Sequence, residues 1–268
     1  MSINRRLINT GGGGASATLI NTLDVSSTLD QDKQAIAINS NGDFLYVFGT
    51  PTGITPISYY IYSFSFGTQK DLSTLSSWQN SYFSQYASTA LGVSANGKEF
   101  YFNDNTTSYV QGWRMSSSWQ VASGKSGSTG SSVYGSYDSL NKGIDMGISS
   151  TKTFMVGYSS SAIHEFNISN YNIDTTSYVQ SYTFSSPSLP EPHNCRIFSS
   201  GTKMLVSENT TQSYYLYDLP NPYSLTGITF NTSFQLSDFY KAGFAIDEAG
   251  LNLYSISGQT LYQYTLAF

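Results

Sequence analysis

The chain has 268 residues, with 12 Lys or Arg against 17 Asp or Glu, and a formal net charge of −5 at neutral pH. That balance argues against a general nucleic-acid binder, which needs a basic face against phosphates, and the sequence has no apolar run of about 18 residues that would predict a membrane-spanning helix. Charged residues are 11% and aromatics 15% of the chain, so the sequence suits pleated, half-buried surfaces and reads as all-β. Its single cysteine, Cys195, excludes an internal disulfide, and stability must come from packing and hydrogen bonds.

In chain order, the first segment is not a strand. MSINRRLINTGGGGAS, residues 1–16, has the arginines of a leader peptide but no 7–15-residue apolar stretch behind them, so a secretory leader is not expected. Gly11, Gly12, Gly13 and Gly14 predict a hinge. No Lys-Ser/Thr follows them, so a phosphate cradle is not expected. Residues 17–27, ATLINTLDVSS, predict a strand.

A unit then recurs five times: apolar strand, tight polar turn, apolar strand. The copies are AIAINSNGDFLYVF, ALGVSANGKEFYF, DMGISSTKTFMVG, CRIFSSGTKMLVS and GFAIDEAGLNLYS. Gly42, Gly97, Gly201 and Gly250 hold one register, and Lys152 holds it in the third copy, giving spacings of 55, 55, 49 and 49 residues. Asn, Ser or Asp at the first turn position with Gly at the fourth marks a type I turn, and Gly supplies the positive φ of a hairpin bulge. Repetition at this period signals a repeat architecture.

Each unit divides into about four strands. They fall at 34–40, 43–49, 58–66 and 78–86; then 88–94, 99–105, 108–116 and 119–123; then 143–149, 153–159, 162–169 and 177–185; then 194–200, 203–208, 213–219 and 230–237. The fifth unit supplies three, at 242–247, 251–257 and 260–268, and the strand at 17–27 is the natural fourth. The Gly/Ser-rich stretch 123–141 reads as a surface loop. Four-stranded sheets repeated around an axis define a β-propeller, and closure by the N-terminal strand hides an edge. The expectation is therefore a five-bladed β-propeller over residues 17–268 and a flexible arm over 1–16. These glycine-turn, aromatic-strand repeats resemble the lactonase-like and surface-layer propellers. The Asp box of sialidase propellers has no counterpart.

Candidate chemistry is sparse. His164 is expected as an exposed strand residue, with Glu165 on the opposite face. His193 and Cys195 stand two apart at the start of an innermost strand and would share a face. They lack the third group that a nucleophile or metal site requires, so Cys195 reads as a core thiol and His193 as a residue of the channel mouth. Residues just before the innermost strands, Lys33, Gln34, Thr89, Lys142, His193, Asn194 and Lys241, predict a rim that could attract an anion or a sugar carboxylate. Trp78, Trp113 and Trp119 offer stacking surfaces or inter-blade packing, Trp78 and Trp119 each within Ser-Trp-Gln. A lactonase-like metal hydrolase would need converging carboxylates; Asp32, Asp145 and Asp247 lie near the inner strands but share no register. No catalytic residue, metal or cofactor is expected.

INRRLINTGGGGAS closely resembles the N-terminal segment of virion structural proteins of marine tailed bacteriophages, including those infecting cyanobacteria, in which a similar NRRLINTGG head precedes varied β-rich domains. The resemblance covers residues 1–16 and implies a phage particle component: an appendage, fibre or decoration protein assembled in the host cytoplasm. It implies attachment through Ile3, Asn4, Arg5, Arg6, Leu7 and Ile8, and partners among other virion subunits or a host surface glycan or receptor, with no membrane insertion. The alternatives are a lectin-like propeller at a cell surface and the lactonase-like hydrolase.

Overall fold

The computed structural model describes residues 7–8, 15–27, 29, 35–50, 59–84, 88, 90–103, 109–119, 121, 125–131, 136–137, 141–145, 149–236 and 243–268; at 7–8, 77–84, 125–131 and 141–145 it describes the backbone alone. The protein is a five-bladed β-propeller. Blade one is β3 (Ala35–Ile38), β4 (Phe44–Gly49), β5 (Tyr59–Phe66) and β6 (Leu75–Ser84). Blade two is β7 (Leu91–Val93), β8 (Glu99–Asn103), β9 (Val110–Met115) and β10 (Lys125–Ser131). Blade three is β11 (Asn141–Asp145), β12 (Lys152–Gly157), β13 (Ala162–Ser169) and β14 (Asn172–Thr183). Blade four is β15 (Pro192–Phe198), β16 (Lys203–Glu208), β17 (Ser213–Asp218) and β18 (Thr229–Gln235). Blade five joins β19 (Phe244–Ile246), β20 (Asn252–Ser257) and β21 (Thr260–Ala267) to β2 (Ser16–Asp24), and β1 (Leu7–Ile8) pairs outside β2. Every neighbouring pair is antiparallel, and β3, β7, β11, β15 and β19 ring the axis in that order. Among the described residues no helix is long and apolar enough to cross a membrane.

The core is divided among five apolar clusters, one per blade seam. Tyr46 and Phe48 of blade one meet Phe100 and Phe102 of blade two. Tyr101 and Val110 meet Met155 and Phe166 between blades two and three. Phe154 and Ile163 meet Cys195, Met204 and Tyr217 between three and four. Leu205 and Tyr214 meet Phe244 and Leu253 between four and five. Ile36 and Val47 meet Tyr254 and Leu261 across the closure. Inner strands are covered on both faces, so AIAI and FLYVF run almost continuously apolar and buried, whereas the outer strand β14 is mostly exposed.

The glycine turns are built as the sequence indicates. Gly42, Gly97, Gly201 and Gly250 have φ of 76°, 70°, 83° and 73°. At Gly201 a side chain is doubly excluded, because a Cβ there would also lie 2.5 Å from the ring of Tyr223. Blade three corrects the expected register. Ile168 N–H donates to Thr151 as Phe66, Met115 and Leu219 donate to Asp43, Lys98 and Thr202. The third register position is therefore Ser150, not Lys152, and the turn positions are 42, 97, 150, 201 and 250.

The same hydrogen bonds show a second repeated element. In the loop between the third and fourth strands of four blades, a corresponding residue adopts positive φ: Lys70 (64°), Trp119 (63°), Tyr171 (60°, directly after Asn170 at 47°) and Tyr223 (56°). Each donates its N–H to the turn carbonyl of its own blade, at Gly42 (3.1 Å), Gly97 (2.7 Å), Ser150 (3.1 Å) and Gly201 (2.9 Å). Trp119 is thus a turn residue, and Trp78 lies inside β6, so the two Ser-Trp-Gln segments are not equivalent. The outer strand expected at 119–123 is instead β10, within the Gly/Ser stretch expected as a loop. An outer strand packs little of its own surface, so small polar residues suffice there, while positive φ at Trp119 breaks extended backbone.

Candidate functional site

Arg196 stands at the axis. It lies on β15, flanked by Cys195 and Ile197, and is buried. Its Nη1 donates to Asn194 Oδ1 (3.2 Å) and to the Cys195 carbonyl (2.8 Å). Its Nη2 donates to the carbonyls of Ile36 (3.1 Å) on β3 and Leu91 (2.7 Å) on β7. The guanidinium carbon lies 5.9 Å from the centre of the Phe244 ring on β19. One side chain of blade four thereby joins blades one, two and five through the fixed fork of its donors. These contacts tie four blades together across the axis. Sequence reading passed over Arg196; its signal is a lone charge inside the apolar run CRIF of an innermost strand.

On the turn side of Arg196 lies a small recess whose lining includes Asn39, Leu91, Val93, Ala245 and Glu248. Asn39 Oδ1 caps the first turn by accepting from Asp43 N (2.8 Å) and Phe44 N (2.9 Å). Asp247 does the same in blade five, accepting from Leu251 N (2.8 Å) and Asn252 N (3.1 Å), and pairs with Lys70 Nζ at 3.1 Å. Asp247 therefore serves the turn face, away from the expected rim. Asp32 lies outside the described residues, as does the side chain of Asp145.

Of the expected rim, Lys33, Gln34, Thr89 and Lys241 lie outside the described residues, and Lys142 is described by its backbone on β11. Asn194 is fully buried and orients Arg196, so it belongs to the axis and not to an open rim. His193 is also buried, and a bulge at that position breaks the alternation expected between His193 and Cys195. Beside them Glu208 accepts from the backbone of Glu191 (3.1 Å), Thr210 (2.9 Å) and Thr211 (2.6 Å) and from the Thr211 hydroxyl (2.6 Å). The Asn209 amide, the Tyr158 hydroxyl and nearby His193 hold the Glu191 carboxyl below its ordinary range, and the same Glu191 contact pushes the Tyr158 hydroxyl up. The cluster organises the loops of the channel mouth. Among the described residues no three His, Cys, Asp or Glu side chains converge as metal ligands.

His164 is buried, not exposed as expected; its Nε2 lies 3.2 Å from the Ser160 hydroxyl, and Tyr137 lies over it at 6.1 Å between ring centres. Glu165 faces the other way, as expected, towards Lys152, Gln180 and Leu225. Tyr137 and Tyr178 stack at 4.1 Å with 10° between their planes, each 38% exposed. In the arm, Ile3, Asn4, Arg5, Arg6 and Gly11–Gly14 lie outside the described residues; the backbone of Leu7 and Ile8 forms β1.

No protein-family profile and no curated protein matches the chain. Among solved structures it is similar to the β-propeller domain of Cps50 (Swd1) from Myceliophteria thermophila, with TM-score 0.51 and 10% identity over 93% of this chain and 99% of that one. It is also similar to a chain of a mitotic checkpoint complex (TM-score 0.48, 10% identity, 92% and 94% covered). A candidate 6-phosphogluconolactonase from Bacteroides fragilis has TM-score 0.46 and 10% identity over 82% of this chain and 72% of that one. At such identity the first likeness establishes the fold alone.

Proposed function

We propose that the chain is a non-enzymatic structural protein of a tailed-phage particle, an appendage, fibre or decoration component held by its N-terminal arm. The observation that carries this reading is the position of β2. β2 is the fourth strand from the axis in blade five, and β1 (Leu7–Ile8), which falls within the phage-like NRRLINTGG segment, pairs along its far edge. Arg196 adds support, because its bonds across the channel make the axis a structural joint. On this reading Ile3–Ile8 engage other virion subunits, the propeller body is displayed towards a neighbour or the host surface, and assembly takes place in the host cytoplasm. Removal of residues 1–14 is expected to leave the melting curve of the propeller nearly unchanged and to abolish recovery with purified particles. Normal recovery would refute the anchor.

A second reading, a carbohydrate-binding propeller, is favoured by the exposed Tyr137–Tyr178 stack. Aromatic faces of this kind suit the apolar face of a pyranose ring. A glycan array that retains signal in Tyr178→Ala would remove it.

A further inference from the structure

Blade five is the blade whose outer strand carries a further strand among the described residues. β1 pairs antiparallel with β2, Leu7 opposite Thr18 and Ile8 opposite Ala17, while the other edge of β2 pairs with β21. β2 reads SATLINTLD, with no charge before Asp24. Natural edge strands are ordinarily blunted by charge, proline or bulges, because an open row of N–H and C=O groups templates another strand; β2 has a register shift between Leu19 and Asn21, and β1 pairs before it, at Ala17 and Thr18. Here the N-terminal segment covers part of such an edge.

Seven residues, 9–15, separate β1 from β2, more than the two to five of typical hairpin loops. A pairing of that kind is chemically the same whether the strands belong to one chain or to two, which makes exchange of an element between copies a low-cost route to association. In a dilute chain the tether favours closure on its own edge through an effective concentration in the millimolar range, and a second copy competes as its own concentration approaches that range.

We infer that β1 is an exchangeable edge strand: it closes on β2 of its own chain when the protein is isolated and adds to β2 of a second copy when copies are crowded. The partner is a second copy of this chain, and the contact is β-augmentation, in which main-chain hydrogen bonds supply the affinity. This concerns copies of the chain alone and does not depend on attachment to a phage particle.

Cysteine trapping tests it, since the native Cys195 is buried and takes no part in the exchange. Directly opposed antiparallel residues bring their Cβ atoms within about 4.5–5.5 Å, close enough for a disulfide with modest adjustment. Under oxidised glutathione, a chain carrying both Leu7→Cys and Thr18→Cys should form an intrachain bond and stay monomeric. An equimolar mixture of the two single variants should form covalent dimers whose fraction rises with protein concentration. Ser177→Cys, exposed on the outer strand of blade three, should yield several-fold less dimer with Leu7→Cys than Thr18→Cys does. Absence of dimer in the Leu7→Cys plus Thr18→Cys mixture would overturn the exchange, and equal yields with Ser177→Cys would reduce it to random collision. Failure of the double variant to close would overturn the register itself. Particle recovery of a chain lacking residues 1–14 bears on the anchor and leaves this result untouched.

Discussion

Three of the five blade seams are joined by a tyrosine and two by a glutamate. Tyr46, Tyr101 and Tyr254 each stand four residues after a turn glycine, and each donates its hydroxyl to the positive-φ loop residue of the next blade. Tyr46 reaches the Trp119 carbonyl (3.3 Å), Tyr101 the Tyr171 carbonyl, and Tyr254 the Lys70 carbonyl (2.6 Å). The equivalent positions in blades three and four hold Phe154 and Leu205, which have no hydroxyl. There a glutamate accepts instead: the donor lies on the following blade at the three–four seam and on the preceding blade at the four–five seam. Glu165 of blade three accepts the Leu225 N–H of blade four (2.9 Å) while holding Lys152 and Gln180. The Glu248 carbonyl accepts Ser199 N–H (2.9 Å) across the next seam, and its carboxylate accepts Ser200 N–H. The same architectural need, a polar tie over an apolar interface, is met by a neutral tyrosine donor at three seams, with the Lys70–Asp247 ion pair beside it at the closure, and by a glutamate acceptor at the other two. A buried anion is costly unless well paired, so the two kinds of seam should differ in fragility and in their response to pH.

The largest effect is expected at Glu165→Ala. It strands the Leu225 N–H and separates Lys152 from its partner, but Lys152 keeps partial access to solvent. Stability should fall by about 2–3 kcal/mol, measured by denaturant unfolding. A smaller loss, comparable to that of a tyrosine variant, would remove the distinction between the seams.

Acid pH should weaken the Glu165 seam between blades three and four. Burial works to raise the Glu165 carboxyl, but the Lys152, Leu225 and Gln180 donors together hold it below the ordinary glutamate value. A group whose folded pKa is depressed contributes stability above its unfolded value and loses it as pH falls through the folded one. The gap in melting temperature between wild type and Glu165→Gln should therefore be widest near neutrality and close as the pH drops below about 4. Burial pushes the Tyr46 and Tyr254 hydroxyls upward, so they stay protonated throughout that range. Tyr254→Phe should show a pH-independent loss of about 1 kcal/mol, and Tyr46→Phe, with the longer bond, a smaller one. A pH-dependent gap in Tyr254→Phe would contradict the comparison.

What the sequence disclosed follows from how local each requirement is. The turn glycines are legible because positive φ beside a packed ring admits little else, and strands two and three because both their faces are apolar. Ser150 hid the third register, since it occupies the turn position without the glycine that marks the others. β10 was hidden because an outer strand can be built from KSGSTGS. The tyrosine ties leave a faint signature, Gly-x-x-x-Tyr at 42–46, 97–101 and 250–254, visible once the repeat is aligned. Arg196 could not be placed from sequence, because Leu91 and Ile36, 105 and 160 residues away, offer it backbone carbonyls that every residue possesses.

These ties all lie within the ring and none involves the arm, so body and anchor should separate cleanly. The most direct measurement expresses the full chain and a chain starting at Ala15 together in infected cells and compares their ratio in purified particles by mass spectrometry. Strong enrichment of the full chain, with equal amounts of both folded in the soluble fraction, is the predicted result. Equal representation in the particles, or absence of both, would contradict the proposed role.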